Sequence, residues 1–235
     1  AVDKFHPVMA THRAQGQAVV YVENGQIVAS KGDLHQTIAL ANIPITMGGL
    51  IPFQVENVMA SVAAAWALGL DWNTIRDGLA GFSNDTDNAQ GRFNLFTFRG
   101  ATVIADYGHN PDAMIALVQA VQAMPAKRRL VVISGAGDRR DQDIRQQTEI
   151  LGDAFDEVIL YEDQCQRGRQ DGEVIALLRQ GLANARRTTQ SCEIKGEFLA
   201  IDTAMDKLTA GDLCLILVDQ VEEAMAHIAA RVEKG

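Results

Sequence analysis

Residues 100–113 read GATVIADYGHNPDA. Residues 101–105 are apolar enough for a buried strand. The run ends in Asp106, Tyr107, Gly108, His109 and Asn110, and Pro111 carries the backbone angle that suits the first turn of a helix. Polar and ionisable groups are thereby expected at the C-terminal tip of a strand, directly ahead of a helix N-terminus. In an open α/β sheet that is where ligands bind, and the helix N-terminus favours anions.

C-terminal to this stretch, strand and helix signals alternate. A helical spacing of Ile115, Leu117, Val118 and Val121 covers 111–124. A strand over 130–134 runs into Gly135-Ala136-Gly137. A helix follows within 142–155, then a strand at 158–161, a helix at 171–186, a strand at 213–218 and a helix at 221–232. Ile194 and residues 198–205 fit neither template cleanly. Strands this apolar, alternating with amphipathic helices, indicate a parallel sheet covered on both faces. N-terminal to the stretch, residues 92–99 and 101–105 flank Arg99-Gly100 as a hairpin. The expected architecture is α/β: a doubly wound, mostly parallel sheet with helices on both faces over 91–235.

Residues 1–90 have a different texture. Residues 18–22 and 26–30 alternate around Glu23-Asn24-Gly25, a strong hairpin signal. Residues 31–40 are polar and read as a connection. Pro52 opens a helix over 52–70, with Val55, Val58, Met59, Val62, Ala65, Trp66 and Leu68 at helical spacing. Its Ala-rich side, 60–67, predicts close packing against a sheet or another helix. Trp66 fits a core position better than a cofactor platform. A second helix is expected at 72–80. The turn-rich string GFSNDTDNAQG at 81–91 is the linker candidate.

Composition narrows the function classes. The chain has 235 residues, 47% hydrophobic and 22% charged, in the ordinary globular range. A net charge of −9 argues against general nucleic-acid binding. No apolar run reaches the ~18–20 residues of a membrane span, and residues 1–14 lack a secretory core. Cys165, Cys192 and Cys214 form neither a CxxC pair nor a metal spacing, so reduced thiols in a cytoplasmic setting are expected and no metal site is. His6 and His12 lie near an expected frayed start, and His35 and His227 read as surface positions.

Three strand ends carry polar clusters. At the first, Asp106 could accept from a ribose hydroxyl, as acids do in nucleotide folds, and His109 and Asn110 could bind phosphate; alternatively Asp106 and Asn110 only cap the helix. The second, from Ser134 to Asp141, offers glycines for close backbone approach and the forked donors of Arg139 and Arg140. It matches neither GxGxxG nor GxxxxGK[ST]. The third runs from Glu162 to Asp171 and mixes acid and base in a long connection. It reads as a zwitterion clamp or as a solvated loop.

These residues resemble the Mur ligase superfamily of ATP-dependent amide ligases. Gly91-Arg92 resembles the Gly-Arg that opens that family's C-terminal domain. Asp106-Tyr107-Gly108-His109-Asn110-Pro111 resembles its D-Y-A-H-N-P signature. Gln54 and Asn57 resemble the pair of amides that reads adenine in its central domain. The strings VISGAGDRRDQDIRQQ and ILGDAFDEVILYEDQCQRGRQDGEVIALLRQGL are similar to the C-terminal portion of the cyanophycin synthetase family within it.

The resemblance implies that 1–90 is the last part of a Mur-type central domain and 91–235 its C-terminal domain. It implies an ATP- and Mg²⁺-dependent reaction in which a carboxylate is phosphorylated and an amine attacks the acyl phosphate. In the cyanophycin synthetase family, arginine is joined to the β-carboxyl of aspartate in a poly-aspartate backbone. Carried over by motif, Gln54 and Asn57 would contact adenine, Arg92 the phosphates and Asp106 the ribose. His109 and Asn110 would shape the nucleotide-facing loop. Gly137, Asp138, Arg139 and Arg140 would face the acceptor or the incoming amino acid. Asp138, Asp141, Glu162, Asp163 and Asp171 are the acids available to an arginine substrate.

No GxxGK[ST] or ATP-grasp region occurs in the chain. The expectation is therefore a ligase piece, inactive alone, with ATP and Mg²⁺ held mainly by parts it does not contain. A non-catalytic nucleotide- or peptide-binding assembly module is the alternative. Apolar surface left uncovered in 1–90 would favour a homo-oligomer.

Overall fold

The computed structural model describes residues 4–84, 89–162 and 165–235. Residues 85–88 of the expected linker, and Asp163 and Gln164 of the third cluster, lie outside the described residues. The chain forms two compact units, Ala1–Ser83 and Asn84–Gly235, so the division falls ahead of Gly91.

The first unit opens with α1 (Pro7–Ala14), where a frayed start was expected. The His6 ring accepts the Val8 amide, and Met9 is buried with Val19, Tyr21 and Val28. An antiparallel meander follows, β1 (Val19–Glu23), β2 (Gln26–Lys31) and β3 (Leu34–Ala39). Asn24 and Gly25 both take positive φ, 49° and 73°, as a two-residue hairpin turn between right-twisted strands requires. The third strand corrects the reading of 31–40 as a connection. Its residues look polar because they are largely solvent-facing, and of the six only Ile38 is buried.

Helix α2 (Pro52–Ala67) packs Val55, Val58, Met59 and Val62 against Ile27, Ala29 and Ile38. Its Ala-rich side differs from expectation, since Ala60, Ala63, Ala64 and Ala67 are exposed. The side chains that pay the helix into the core are the larger ones on the opposite stripe. Trp66 packs at the edge of that core, its ring centroid 5.4 Å from that of Trp72. Helix α3 (Trp72–Ala80) starts where the Asp71 carboxylate accepts the Asn73 and Thr74 amides.

The second unit is a six-stranded sheet of order β4-β5-β9-β6-β7-β8. Its strands are β4 (Asn94–Phe98), β5 (Ala101–Asp106), β6 (Arg129–Ile133), β7 (Glu157–Glu162), β8 (Gln190–Lys195) and β9 (Leu213–Leu217). Only β4 runs antiparallel, joined to β5 by a turn in which Arg99 and Gly100 take φ 50° and 77°. The helices are α4 (Pro111–Ala123), α5 (Asp141–Gly152), α6 (Glu173–Leu182), α7 (Glu197–Asp206) and α8 (Val221–Lys234). Every residue of β7 and β9 is buried, as a sheet covered on both faces requires. One covering layer places Ala200, Ile201, Ala204 and Met205 of α7 and Ala224, Met225 and Ile228 of α8 against Val103, Val132, Ile159, Cys214 and Ile216. Among the described residues no helix is long and apolar enough to cross a membrane.

Residues 190–206, untyped from sequence, are the edge strand β8 and helix α7. The strand alternates exposed and half-buried side chains, so no apolar run marks it. The helix begins with a buried Glu197 after Gly196, whose φ is 102°. Strand β9 inserts between β5 and β6, although it comes last in the chain. Its tip therefore stands between two strands whose own connections lead to other helices. That is the topological switch at which ligand crevices open in α/β sheets.

Candidate functional site

The tips of β5, β9, β6 and β7 build one cluster in the second unit. Asp106 closes β5 and is only 8% exposed. Its Oδ2 accepts the Phe93 amide at 2.9 Å, and its Oδ1 accepts the Gly108 amide at 2.6 Å. Burial pushes its pKa up from 3.8 to about 6; the two amides and the nearby charge of Arg92 pull the other way. The carboxylate thus points inward, onto the backbone of its own domain.

Arg92 is the complement. Its backbone N–H reaches the Asn94 side-chain oxygen at 3.2 Å, and its guanidinium is exposed, 5.9 Å from the Tyr107 ring centroid. No carboxylate partner for it occurs among the described residues. Tyr107 donates its amide to the Gly91 carbonyl at 2.8 Å and packs its ring 4.5 Å from that of His109.

His109 is buried. Its Nδ1 lies 2.6 Å from the Tyr107 carbonyl, which can only accept, so Nδ1 carries the hydrogen. Its Nε2 faces Asp219, at 3.7 Å, just beyond the tip of β9. Burial lowers its pKa; the Tyr107 carbonyl and Asp219 raise it, and Arg167 and Arg139 lower it again. Asp219 takes its close contact from Arg167 of the β7–α6 connection, at 2.6 Å. Arg167 also lies 3.8 Å from Asp138, beyond the tip of β6. A chain of contacts, His109 to Asp219 to Arg167 to Asp138, therefore links all four tips.

A second set of contacts holds the β6–α5 and β7–α6 connections together. The Arg169 guanidinium donates to the Gly137 and Arg139 carbonyls, both at 2.7 Å, and pairs with Asp141 and Glu173. Gly137 has no room for a side chain, since a Cβ there would run into the Gln166 carbonyl. Glu162 accepts the Gly172 amide at 2.7 Å. Glu197, 1% exposed, accepts the Asp219 and Gln220 amides at 2.7 and 3.0 Å and so sets the connection that carries Asp219.

Of the residues singled out in the sequence, Arg92, Asp106, His109, Gly137, Asp138 and Arg139 gather here. Asn110 accepts the Ala113 amide at 2.8 Å as the cap of α4. Arg140, just ahead of α5, forms a two-pronged pair with Asp143 of that helix, both contacts 2.8 Å. Arg139 is exposed and lacks a carboxylate partner among the described residues. Gln54 and Asn57 belong to the first unit. Gln54 is buried, and its side-chain oxygen takes the Asn57 amide at 3.1 Å.

Asp219, Glu197 and the specific part played by Arg167 were not read from sequence. The available signal for Asp219 was the same as for Asp106, a polar residue ending an apolar strand before a helix. His227, read as a surface position, is half-buried and pairs with Asp202 at 2.9 Å. Among the described residues, no three His, Cys, Asp or Glu side chains converge as a cation site.

A match to the family described as Mur ligase, glutamate ligase domain covers residues 91–218, more than half the chain and all four strand tips. The chain belongs to the Mur ligase family. It is 35% identical over 230 residues to a cyanophycin synthetase of Geminocystis herdmanii, an alignment that takes in 97% of this chain and 26% of the relative. It is also 35% identical over 166 residues to the UDP-N-acetylmuramoyl-L-alanyl-D-glutamate–2,6-diaminopimelate ligase of Bradyrhizobium diazoefficiens, covering 70% of this chain and 32% of that one. The chain thus spans about a quarter of the length of the cyanophycin synthetases it matches. Among solved structures, Escherichia coli FolC in complex with ADP superposes with a TM-score of 0.68 at 25% identity, over 97% of this chain and 52% of that one.

Proposed function

We propose that this Mur ligase-like chain is the C-terminal part of an ATP-dependent amide ligase of the cyanophycin synthetase kind. In this reading the enzyme joins arginine to the β-carboxyl of aspartate in a poly-aspartate backbone. The observation that carries it is the distribution of charge at the strand tips. Arg167 and Arg169 are committed to carboxylates, while Arg92 and Arg139 stand at the same strand tips with guanidinium groups that have no carboxylate partner among the described residues. Uncommitted guanidinium groups beside a helix N-terminus fit phosphate or carboxylate.

ATP would supply the phosphoryl group that activates the aspartate carboxyl. Arg92, beside the Tyr107 ring, would meet its phosphates. His109 and Asn110 shape the connection from β5 to α4. Asp138 and Arg139 would face the acceptor or the incoming amino acid, with Gly137 letting the loops close. The described residues offer no cluster for Mg²⁺, so the metal would be held mainly by other parts of the enzyme. The chain itself has no GxxGK[ST], and ligation by these 235 residues alone is not expected.

Calorimetric titration of the chain with ATP–Mg²⁺, with arginine and with an Asp-Arg dipeptide tests the reading. Heat from the dipeptide supports a retained acceptor or product surface. Silence for all three, together with a complete polypeptide that fails to add arginine to poly-aspartate, would leave only an assembly module.

A further inference from the structure

We propose that the first unit carries a binding site for the phosphate group of a small molecule, in the cavity between α1 and the polar end of the β1–β2–β3 sheet. The proposal does not rest on the ligase reading above.

The two faces of this sheet differ. Val20, Ile27, Ala29 and Ile38 pack with α2. Side chains alternate along a strand, so Val19, Tyr21, Val28, Ser30 and His35 fall on the other face. The register sets Tyr21 opposite Val28, Val19 opposite Ser30, and Ser30 opposite His35. Met9 of α1 packs with Val19, Tyr21 and Val28, but α1 is only eight residues long. Beside its last turn a cavity of about 560 Å³ opens, lined by Arg13, Gln17, Tyr21, Ser30 and His35. That volume lies in the range of small-molecule pockets.

Tyr21 is 3% exposed, yet its hydroxyl has no hydrogen-bond partner among the described residues. Buried polar groups are nearly always paired, so a buried phenol lining a cavity calls for an acceptor from outside the chain. The Arg13 guanidinium stands over the same ring, 5.2 Å from its centroid, and has no carboxylate partner among the described residues. The side chains of Ser30 and His35 are likewise uncommitted there. No carboxylate lines the cavity. The hydrogen bond from Lys4 holds the nearby Glu23 carboxyl below its usual range, and the charges of Arg13 and His35 act in the same direction.

One effect opposes an anion here. The end of α1 presents the negative pole of its dipole, equivalent to roughly half a charge at most. The amides of Gln15, Gly16 and Gln17 already take carbonyls of that turn, and the full charge of Arg13 on the same turn outweighs the remainder. A guanidinium, two hydroxyls and an imidazole thus reach the cavity from three segments. A phosphate group presents three acceptor oxygens in different directions and can meet such donors together, whereas a carboxylate presents two in one plane.

NMR titration of the 235-residue chain with inorganic phosphate at fixed ionic strength tests the proposal, read at the amides of Tyr21, Ser30 and His35. Saturable shifts are expected, with acetate binding about tenfold more weakly. Arg13→Ala should weaken phosphate binding at these amides by about tenfold or more, and Tyr21→Phe by about threefold or more. Tyr21→Phe should leave the urea-unfolding midpoint in place, because the hydroxyl has no partner to lose. Arg92→Ala should leave these shifts unchanged, which separates the site from any phosphate held in the second unit. Absence of saturation, acetate binding as tightly as phosphate, or wild-type binding by either variant overturns the proposal. A lowered midpoint for Tyr21→Phe does so too, since it would mean that the hydroxyl is already satisfied within the fold. Should Arg13→Ala fail to fold, Arg13→Gln keeps most of the side-chain stem and must show the same loss.

Discussion

Asp106→Asn should change how stability responds to pH, and the sign differs from that of most protein carboxylates. An acid stabilised by a salt bridge has its pKa depressed on folding and loses stability in acid. Asp106 is raised, from 3.8 to about 6, chiefly because burial strips water from the charged form. The folded chain then binds the proton more tightly than the unfolded chain, so the contribution of this group to stability is fully present below pH 3.8. It is lost as pH rises through 6. At 1.36 kcal/mol per unit, the change amounts to about 3 kcal/mol across that window. Asparagine cannot ionise, so the variant should gain on the wild type by about that much between pH 4 and pH 7. Subtracting the two urea-unfolding profiles cancels the other titrating groups. A pH-independent difference, or a wild type that gains on the variant as pH rises, would refute the assignment of burial as the dominant cause.

Three further outcomes follow from the same geometry. Arg92→Ala removes an exposed guanidinium with no carboxylate partner among the described residues, so urea unfolding should barely move while KM for ATP in the complete ligase rises by about tenfold or more. Gly137→Ala forces a Cβ into the Gln166 carbonyl. It should cost about 1–3 kcal/mol in unfolding free energy, and an unchanged midpoint would mean that the β7–α6 connection gives way freely. Arg167→Leu removes a charge that lowers the His109 pKa and releases Asp219, which raises it. NMR titration should then find His109 protonating at higher pH than in the wild type, and a fall would contradict the placement of Arg167 and Asp219 beside it.

The second unit was legible in sequence where strands are buried on both faces. Residues 101–105, 130–134, 158–161 and 213–218 are continuous apolar runs, and each is a strand within a residue or so of its expected limits. Legibility failed where burial is one-sided. β3 and β8 present mostly exposed or half-buried side chains, so hydrogen bonding to a neighbouring strand defines them while hydrophobic patterning does not. The exposed alanines of α2 show the converse error, since small apolar residues permit close packing without compelling it. Motif reading singled out Arg92, Asp106 and His109, which the fold brings to one cluster, but could not tell inward from outward. The Asp106 carboxylate reaches the Phe93 amide 13 positions earlier in the chain, a contact that no side-chain pattern encodes. Asp219 was missed because its partners, His109 and Arg167, come from connections 110 and 52 positions away in sequence.

The division of labour among the arginines follows from this arrangement. A guanidinium held by two acceptors, as Arg169 is by the Gly137 and Arg139 carbonyls, would have to break those contacts before it could bind an incoming anion. Arg167, paired with Asp219, likewise has its charge offset. Such groups set the spacing of the loops. Among the described residues Arg92 and Arg139 have no carboxylate partner, so their charge is available at the strand tips. One stands just ahead of β4, beside the tip of β5, and the other beyond β6, on either side of the tip of β9. Anionic groups on either side of that strand would meet these two cations. In such a site the committed arginines govern stability and the uncommitted ones govern affinity. Exchanging the roles, by freeing Arg167 or pairing Arg92, should damage binding even with the net charge preserved.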